Sequence, residues 1–236
     1  MEKRAIIIQA RMSSKRLPGK CLKLIGKHPL IYYVIEHLRV LNLPIIIATS
    51  SDSSDDILVE YLHYLKDVLV YRGSLNNVLE RYLGAAEAFN VEQIIRITAD
   101  NPFVDVKALL ENSEFFEEYQ YLDGIYENGW IKGSGFEFVT TKALKEIATT
   151  RKDYLEHVTL ALREQIDVNP TYTKIALPAH QIDNKDLRLT CDYTEDLEVI
   201  TNILEYHNYS PNIKITEIIK LSQIKPELFF ANSTLS

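Results

Sequence analysis

The sequence predicts an α/β fold with a mainly parallel central sheet, and three observations carry that expectation. Short apolar runs alternate with stretches of helical periodicity from the start of the chain. Helix caps and breakers separate them at βα spacing. Chemistry-bearing residues gather just past the carboxyl ends of the apolar runs, the edge where open α/β sheets bind ligands.

Residues 4–9 form the first strand, and residues 29–41 a helix with Pro29 in its first turn and Leu30, Val34, Leu38 and Leu41 at helical spacing. Pro44 ends it before the strand at residues 45–48. Ser53 or Ser54 caps the next helix, which runs to about residue 65, with Asp55 and Asp56 in the first turn where the helix dipole favours carboxylates. A strand at 68–71, a helix at 76–89 and a strand at 93–98 follow, then a helix at 106–118 capped by Asp105. The second half is less regular. Strands are expected at 121–127, 136–140, 172–177 (this one leaving the main sheet) and 188–190. Helices are expected at 141–148, 153–164, 194–206 and 215–230, the last broken at Pro226. No repeat or linker divides the chain, so the expectation is one domain over residues 1–236.

The 236 residues leave room for a sizeable core, and the 46% hydrophobic content is ordinary for a soluble globular protein. A net charge of -7 argues against broad nucleic-acid binding and suits a small anionic ligand held by local basic loops. No apolar run reaches the ~20 residues that span a bilayer, and no signal-peptide core follows Arg4. Two cysteines, Cys21 and Cys191, are too few for a disulfide framework, so the expected compartment is a reducing cytoplasm with both thiols as buried filler.

Three segments carry the chemistry. The loop after the first strand runs from Gln9 to Lys20 and holds Arg11, Lys15, Arg16 and Lys20, the hydroxyls of Ser13 and Ser14, and a Pro18-Gly19 turn. Converging cations and donors suit a triphosphate. Charge density alone is equally satisfied by a solvated basic turn. The second segment, Arg96-Ile97-Thr98-Ala99-Asp100-Asn101-Pro102, puts a carboxylate just past a buried strand, where it serves magnesium or simply a turn. The third, Arg188 to Leu197, places Asp192 between a short strand and a helix. Alone, Asp192 reads as a helix cap; with Asp100 it makes a two-carboxylate magnesium site. Glu195 and Asp196 read as first-turn helix residues. Trp130 reads as closing a loop over the core, with stacking on a ligand ring the less favoured role.

Taken together, these segments resemble a cytidylyltransferase, in particular the spore-coat-polysaccharide cytidylyltransferase-like family related to the acylneuraminate and 3-deoxy-manno-octulosonate cytidylyltransferases. The matching stretches run in order: residues 9–20, Pro29-Leu30-Ile31, residues 47–50 with Asp55-Asp56, residues 71–74 with 77–82, residues 97–102, Glu156-His157-Val158-Thr159 and residues 191–197. The resemblance implies a nucleotide-diphospho-sugar-transferase fold, three-layered and Rossmann-like. It also implies a magnesium cofactor, CTP and a sugar acid as substrates, a homodimer, and transfer of CMP to a sugar hydroxyl with release of pyrophosphate. By motif, Arg11, Lys20 and Asp100 are the catalytic set. Ala10, Arg11, Ser13, Ser14, Lys15, Lys20, Arg72, Ser74 and Asn77 lie at the nucleotide, and Asp100 and Asp192 at the metal; Glu137 and His157 are the candidates for the sugar, with a surface strand position equally open to Glu137 and a packed histidine the commoner role for His157. Arg16 is expected to face solvent.

The chain departs from the family pattern on the sugar side. Ser134 stands near an expected acid, and Leu155-Glu156 replaces the usual Arg-Glu before the His-Val-Thr piece. Rival functions are a sugar-1-phosphate nucleotidylyltransferase or glycosyltransferase of the same fold, and a non-catalytic nucleotide-binding subunit. The chain lacks the Arg-Leu-x-Pro-Leu-Thr loop of the first and the Asp-x-Asp motif of the second.

Overall fold

The computed structural model describes residues 3–125, 128–150 and 158–235. Seven strands form one sheet in the order β5-β4-β1-β6-β8-β7-β9. They are β1 (Arg4–Gln9), β4 (Ile45–Ser50), β5 (Val68–Gly73), β6 (Gln93–Thr98), β7 (Tyr121–Gly124), β8 (Phe136–Thr140) and β9 (Tyr172–Lys174). All run parallel except β8, which is antiparallel to both β6 and β7. A two-strand hairpin, β2 (Leu24–Ile25) with β3 (His28–Pro29), stands apart from this sheet.

Strand order reverses at β1. The chain steps outward through β4 and β5, then crosses back to lay β6 on the other side. That reversal opens a crevice at the carboxyl ends of β1 and β6. The first basic loop leaves β1 there, and Asp100 leaves β6 there.

The period-2 alternation of β1 splits its side chains between two cores. Ile6 and Ile8 pack with α1 (Leu30–Leu38), α2 (Asp56–His63) and α4 (Val106–Asn112). Ala5 and Ile7 pack with α3 (Val78–Ala88), α5 (Thr141–Thr150) and the short α6 (Leu160–Arg163). The sheet is thus the middle of three layers. A third core joins the hairpin and Leu17 of the first loop to α7 (Thr194–Tyr206) and α8 (Ile215–Ile224).

Several expectations need correction. Pro29 caps α1 from outside, and residues 39–41 tighten into a 3-10 turn. The second helix is capped by Asp52, which accepts from the Ser54 N–H, and starts with a 3-10 turn before Asp56. The 106–118 helix stops at Asn112, with a separate 3-10 turn at Phe115–Glu117. β9 joins the main sheet beside β7 instead of leaving it, because residues 172–174 find a free parallel edge. Residues 188–190 form no strand; a single bridge joins Arg188 to Lys132. The hairpin at 24–29 was not foreseen, since two-residue strands give no periodicity to read. Residues 153–157, including His157, lie outside the described residues, as do 126 and 127. No described helix is long and apolar enough to cross a membrane.

Candidate active site

The first loop is folded by its own backbone. Met12 O accepts from both Ser14 N and Gly19 N at 2.9 Å. Gly19 has φ +70°, a left-handed conformation that glycine enters at no steric cost. The Pro18-Gly19 turn therefore reverses the chain and brings Lys20 back under Arg11. Asp55 anchors the loop from outside: fully buried, it accepts from Met12 N (2.7 Å), Ser50 N (3.0 Å), Thr49 Oγ1 (3.0 Å) and, in a short bond, Ser50 Oγ.

Lys20 is the centre of the site. Its ammonium donates to Asp100 Oδ2 (2.5 Å), Cys191 O (2.9 Å) and Asp192 Oδ1 (3.0 Å). Three segments far apart in sequence thus meet at one nitrogen. Burial alone would push the Lys20 pKa down, but Asp100 and Asp192 outweigh it and hold it above the usual lysine value. Burial likewise favours a protonated Asp100, and Lys20 more than reverses this, holding the carboxyl below the usual carboxylate range.

Asp192 is held by a rigid support. Asp196 accepts from the N–H groups of Asp192 (2.9 Å) and Tyr193 (3.0 Å), from Arg188 Nε (2.7 Å) and Nη2 (3.0 Å), and from Asn232 Nδ2 (2.9 Å). Asp196 is therefore more than a first-turn helix residue. Arg16 is exposed, as expected, but it is not a bystander: its guanidinium pairs with Asp192 Oδ1 at 2.7 Å and lies over the Tyr193 ring. Cys21 and Cys191 are buried beneath the site, and burial raises their thiols to about 11 and about 12. Neither is a thiolate at neutral pH, in keeping with their reading as filler.

Two cavities meet at this centre. One, of about 520 Å³, is lined by Ala10, Arg11, Ser14, Lys15, Lys20 and Arg81, among others. The second, of about 270 Å³, is lined by Lys132, Glu137, Arg163 and Thr190. Arg16, Arg96, Thr98, Asp100 and Asp192 line both, so the two carboxylates stand in the shared wall. A wider depression of about 810 Å³ lies at the opposite sheet edge, near the start of β6, away from all these groups.

The remaining candidates are placed differently. Arg72 clamps the loop after β4, donating to Ser50 O (2.9 Å), Asp52 O (3.0 Å) and Asp56 Oδ1 (2.6 Å), and lines neither cavity. Asn77 caps α3 by accepting from Glu80 N, and Ser74 Oγ accepts from Asn77 N. Ser13 is exposed and off the cavity wall, whereas Ser14 lines it. Glu137 is reached by Arg96 in a short bond, by the Tyr121 hydroxyl (2.5 Å) and by Arg163 (3.5 Å). Burial opposes its charge, but the two arginines prevail and depress its pKa. It therefore positions Arg96 and Arg163 rather than offering a free carboxylate. Beside it Asp123 is raised to about 6, by burial first and by the Glu137 charge second. Ser134 is buried and bonded to Gln181 and Ile131 O. Trp130 is fully buried against Phe136, as its core reading expects.

The family profile described as cytidylyltransferase matches residues 5–230. The chain belongs to the cytidylyltransferase family. It is 31% identical over 232 residues to the spore coat polysaccharide biosynthesis protein SpsF of Bacillus subtilis (strain 168), across 94% of each chain. It is 29% identical over 120 residues to a 3-deoxy-manno-octulosonate cytidylyltransferase of Rickettsia akari (strain Hartford), covering 50% of this chain and 48% of that one. A solved cytidylyltransferase from Leptospira borgpetersenii serovar Hardjo-bovis (strain JB197) superposes with a TM-score of 0.88 at 26% identity, over 97% of both chains.

Sequence reasoning missed four residues of this cytidylyltransferase: Arg81, Arg96, Asp55 and Asp196. Each sits inside a stretch that was read, but its burial shows only in three dimensions. Asp55 has a testable consequence. Asp55→Ala strands several buried donors, each costing about 1–3 kcal/mol, and frees the first loop from β4. Urea unfolding is expected to show a loss of at least about 2 kcal/mol, with weaker nucleotide binding in the same variant. An unchanged midpoint would mean the loop is held elsewhere.

Proposed function

We propose that this chain transfers the cytidylyl group of CTP to a hydroxyl of an acidic or modified sugar, releasing pyrophosphate, and so feeds surface-polysaccharide or glycan synthesis. The observation that carries this is the Lys20–Asp100–Asp192 centre in the wall between two cavities. The larger, cation-lined cavity suits the nucleotide and the smaller one the sugar.

Arg11, Lys15 and Lys20 would hold the triphosphate and neutralise charge that builds on the leaving pyrophosphate. The wall of Asp100 and Asp192 lets a sugar hydroxyl from the second cavity approach the α-phosphorus, while Arg16 fixes Asp192. Forming the new oxygen–phosphorus bond breaks the bond to the β-phosphate oxygen.

The donor set fits magnesium. Two hard carboxylate oxygens converge within 3.0 Å of one point, now taken by the Lys20 ammonium. Magnesium usually takes one or two carboxylates plus substrate phosphates, so the absence of a three-ligand cluster among the described residues does not count against it. Asp100 and Asp192 would hold the ion, which supplies charge neutralisation at the phosphates and a lower pKa for the attacking hydroxyl. The proposal includes a homodimer working in the cytoplasm.

A panel of 2-keto-3-deoxy sugar acids with CTP and magnesium, read by pyrophosphate release, tests the reaction. Release is expected to need CTP, magnesium and a sugar together. Release from ATP, UTP or GTP but not CTP would overturn the nucleotide assignment.

A further inference from the structure

Arg81 is a charged side chain with only 1% of its surface exposed. It lies on the first turns of α3 and is among the residues that line the larger cavity. Nη1 donates to Ser74 O (2.9 Å) and weakly to Leu75 O (3.4 Å). Its Nε is buried without a hydrogen-bond partner, and no carboxylate of the described residues pairs with it. The two arginines in the wall shared with the second cavity each have such a carboxylate: Arg16 has Asp192 and Arg96 has Glu137. Room for Arg81 is built into the chain at Gly73, where a Cβ would stand 3.0 Å from Arg81 Cγ and 2.9 Å from the Tyr71 ring.

A buried charge without a counter-ion is costly to the free protein. Burial chiefly pulls the Arg81 pKa below the usual arginine value and the nearby Arg11 charge adds to this, while Tyr82 and the Asp55 carboxylate, which makes no ion pair with it, oppose the shift without cancelling it. Folding keeps the group despite these costs, at the floor of a cavity and with a donor edge unspent. The missing partner therefore belongs to the ligand.

We infer that Arg81 is a nucleotide-binding residue whose unpaired guanidinium edge donates to acceptor oxygens of the bound nucleotide. This rests on the proposed CTP site. The oxygens are those of a phosphate or the carbonyl of cytosine, both of which a guanidinium fork can take.

Dissociation constants for CTP, CDP, CMP and cytidine, measured calorimetrically on the parent, Arg81→Met and Arg81→Lys, test it. Arg81→Met is expected to weaken CTP at least 30-fold while the melting temperature of the ligand-free protein stays level or rises, since an unpaired buried charge has gone. Arg81→Lys keeps the charge and the stem but loses the fork, and is expected to weaken CTP at least tenfold. A loss that shrinks as phosphates are removed assigns the phosphate; an equal loss for all four ligands assigns the cytosine carbonyl. CTP binding within threefold of the parent in Arg81→Met overturns the inference and leaves the CTP site standing. So does a melting temperature that falls in Arg81→Met and is restored, together with full affinity, by Arg81→Lys. A parent that binds none of the four ligands removes the CTP site itself, and the inference with it.

Discussion

Asp100→Asn is expected to lower turnover by roughly 10²–10³-fold, the scale of removing one preorganised charge from a transition-state site, while the protein remains folded. The substitution keeps the volume of the side chain and removes only its charge. Lys20 retains Asp192 and Cys191 O as partners, so the loop does not collapse. The packing around residue 100 is also independent of the carboxylate: Cys191 N donates to Asp100 O at 2.9 Å through the backbone. Circular dichroism should therefore match the parent, and CTP binding without metal should change little, because the variant loses an anion, not a cation. Pyrophosphate release under saturating CTP and magnesium is the measurement. A rate within tenfold of the parent rejects Asp100 as a metal ligand.

Lys20→Met is expected to act on binding and on stability, and the stability effect carries a pH signature. Removing the ammonium should weaken CTP on the order of 10²-fold, since charge-assisted bonds to a buried phosphate are worth about 1.5–3 kcal/mol each. It also leaves Asp100 and Asp192 facing each other with their shared cation gone. The sign follows from the shifts. In the parent, the Asp100 carboxyl is depressed in the folded state, so its stabilisation is present above the unfolded value of about 3.9 and is lost as pH falls through the folded value. Lys20 is raised in the folded state, so its stabilisation is present below about 10.4 and is lost as pH rises through the folded value. The pair therefore contributes fully across neutral pH. In Lys20→Met the charge that chiefly holds the Asp100 carboxyl down is gone, and burial pushes it up against only the hydrogen bonds from Thr98 and the backbone. Urea unfolding should show the largest deficit near neutral pH, shrinking as pH falls below about 4. A deficit that is flat with pH would show that the lysine acts through packing alone.

The parallel half of the sheet was legible because residues 5–8 and 45–48 are continuous apolar runs, and 94–97 one broken only by Arg96, between strong helix signals. β1, β4 and β6 appear where those runs lie. The hairpin at 24–29 and the edge strand β9 were misread because they are two or three residues long, and their pairing depends on neighbours the local sequence does not specify. The site was partly legible. Lys20, Asp100 and Asp192 announced themselves as charged residues past strand ends, and the fold joins them. Arg72, Ser74 and Asn77 were polar residues in a matching motif, yet the fold uses them as clamp and cap. Arg16 looked solvated by density of charge, but a carboxylate 176 positions later in the chain is its partner. Asp196 and Arg81 could not be weighed at all without knowing that both are buried.

Lys20 meets Asp192 across 172 residues of chain, which bears on how the protein is made. The basic loop is synthesised first of the three segments, and Asp100 second. The second carboxylate follows Asp100 only 92 residues later. Its support arrives later still, because Asn232 is what braces Asp196 and Arg188 from behind. Synthesis thus delivers all seven strands of the sheet and the cationic loop before the second carboxylate of the centre. A chain ending shortly before Asn232 would hold Lys20, Asp100 and Asp192 but lack the amide that braces Asp196 and Arg188.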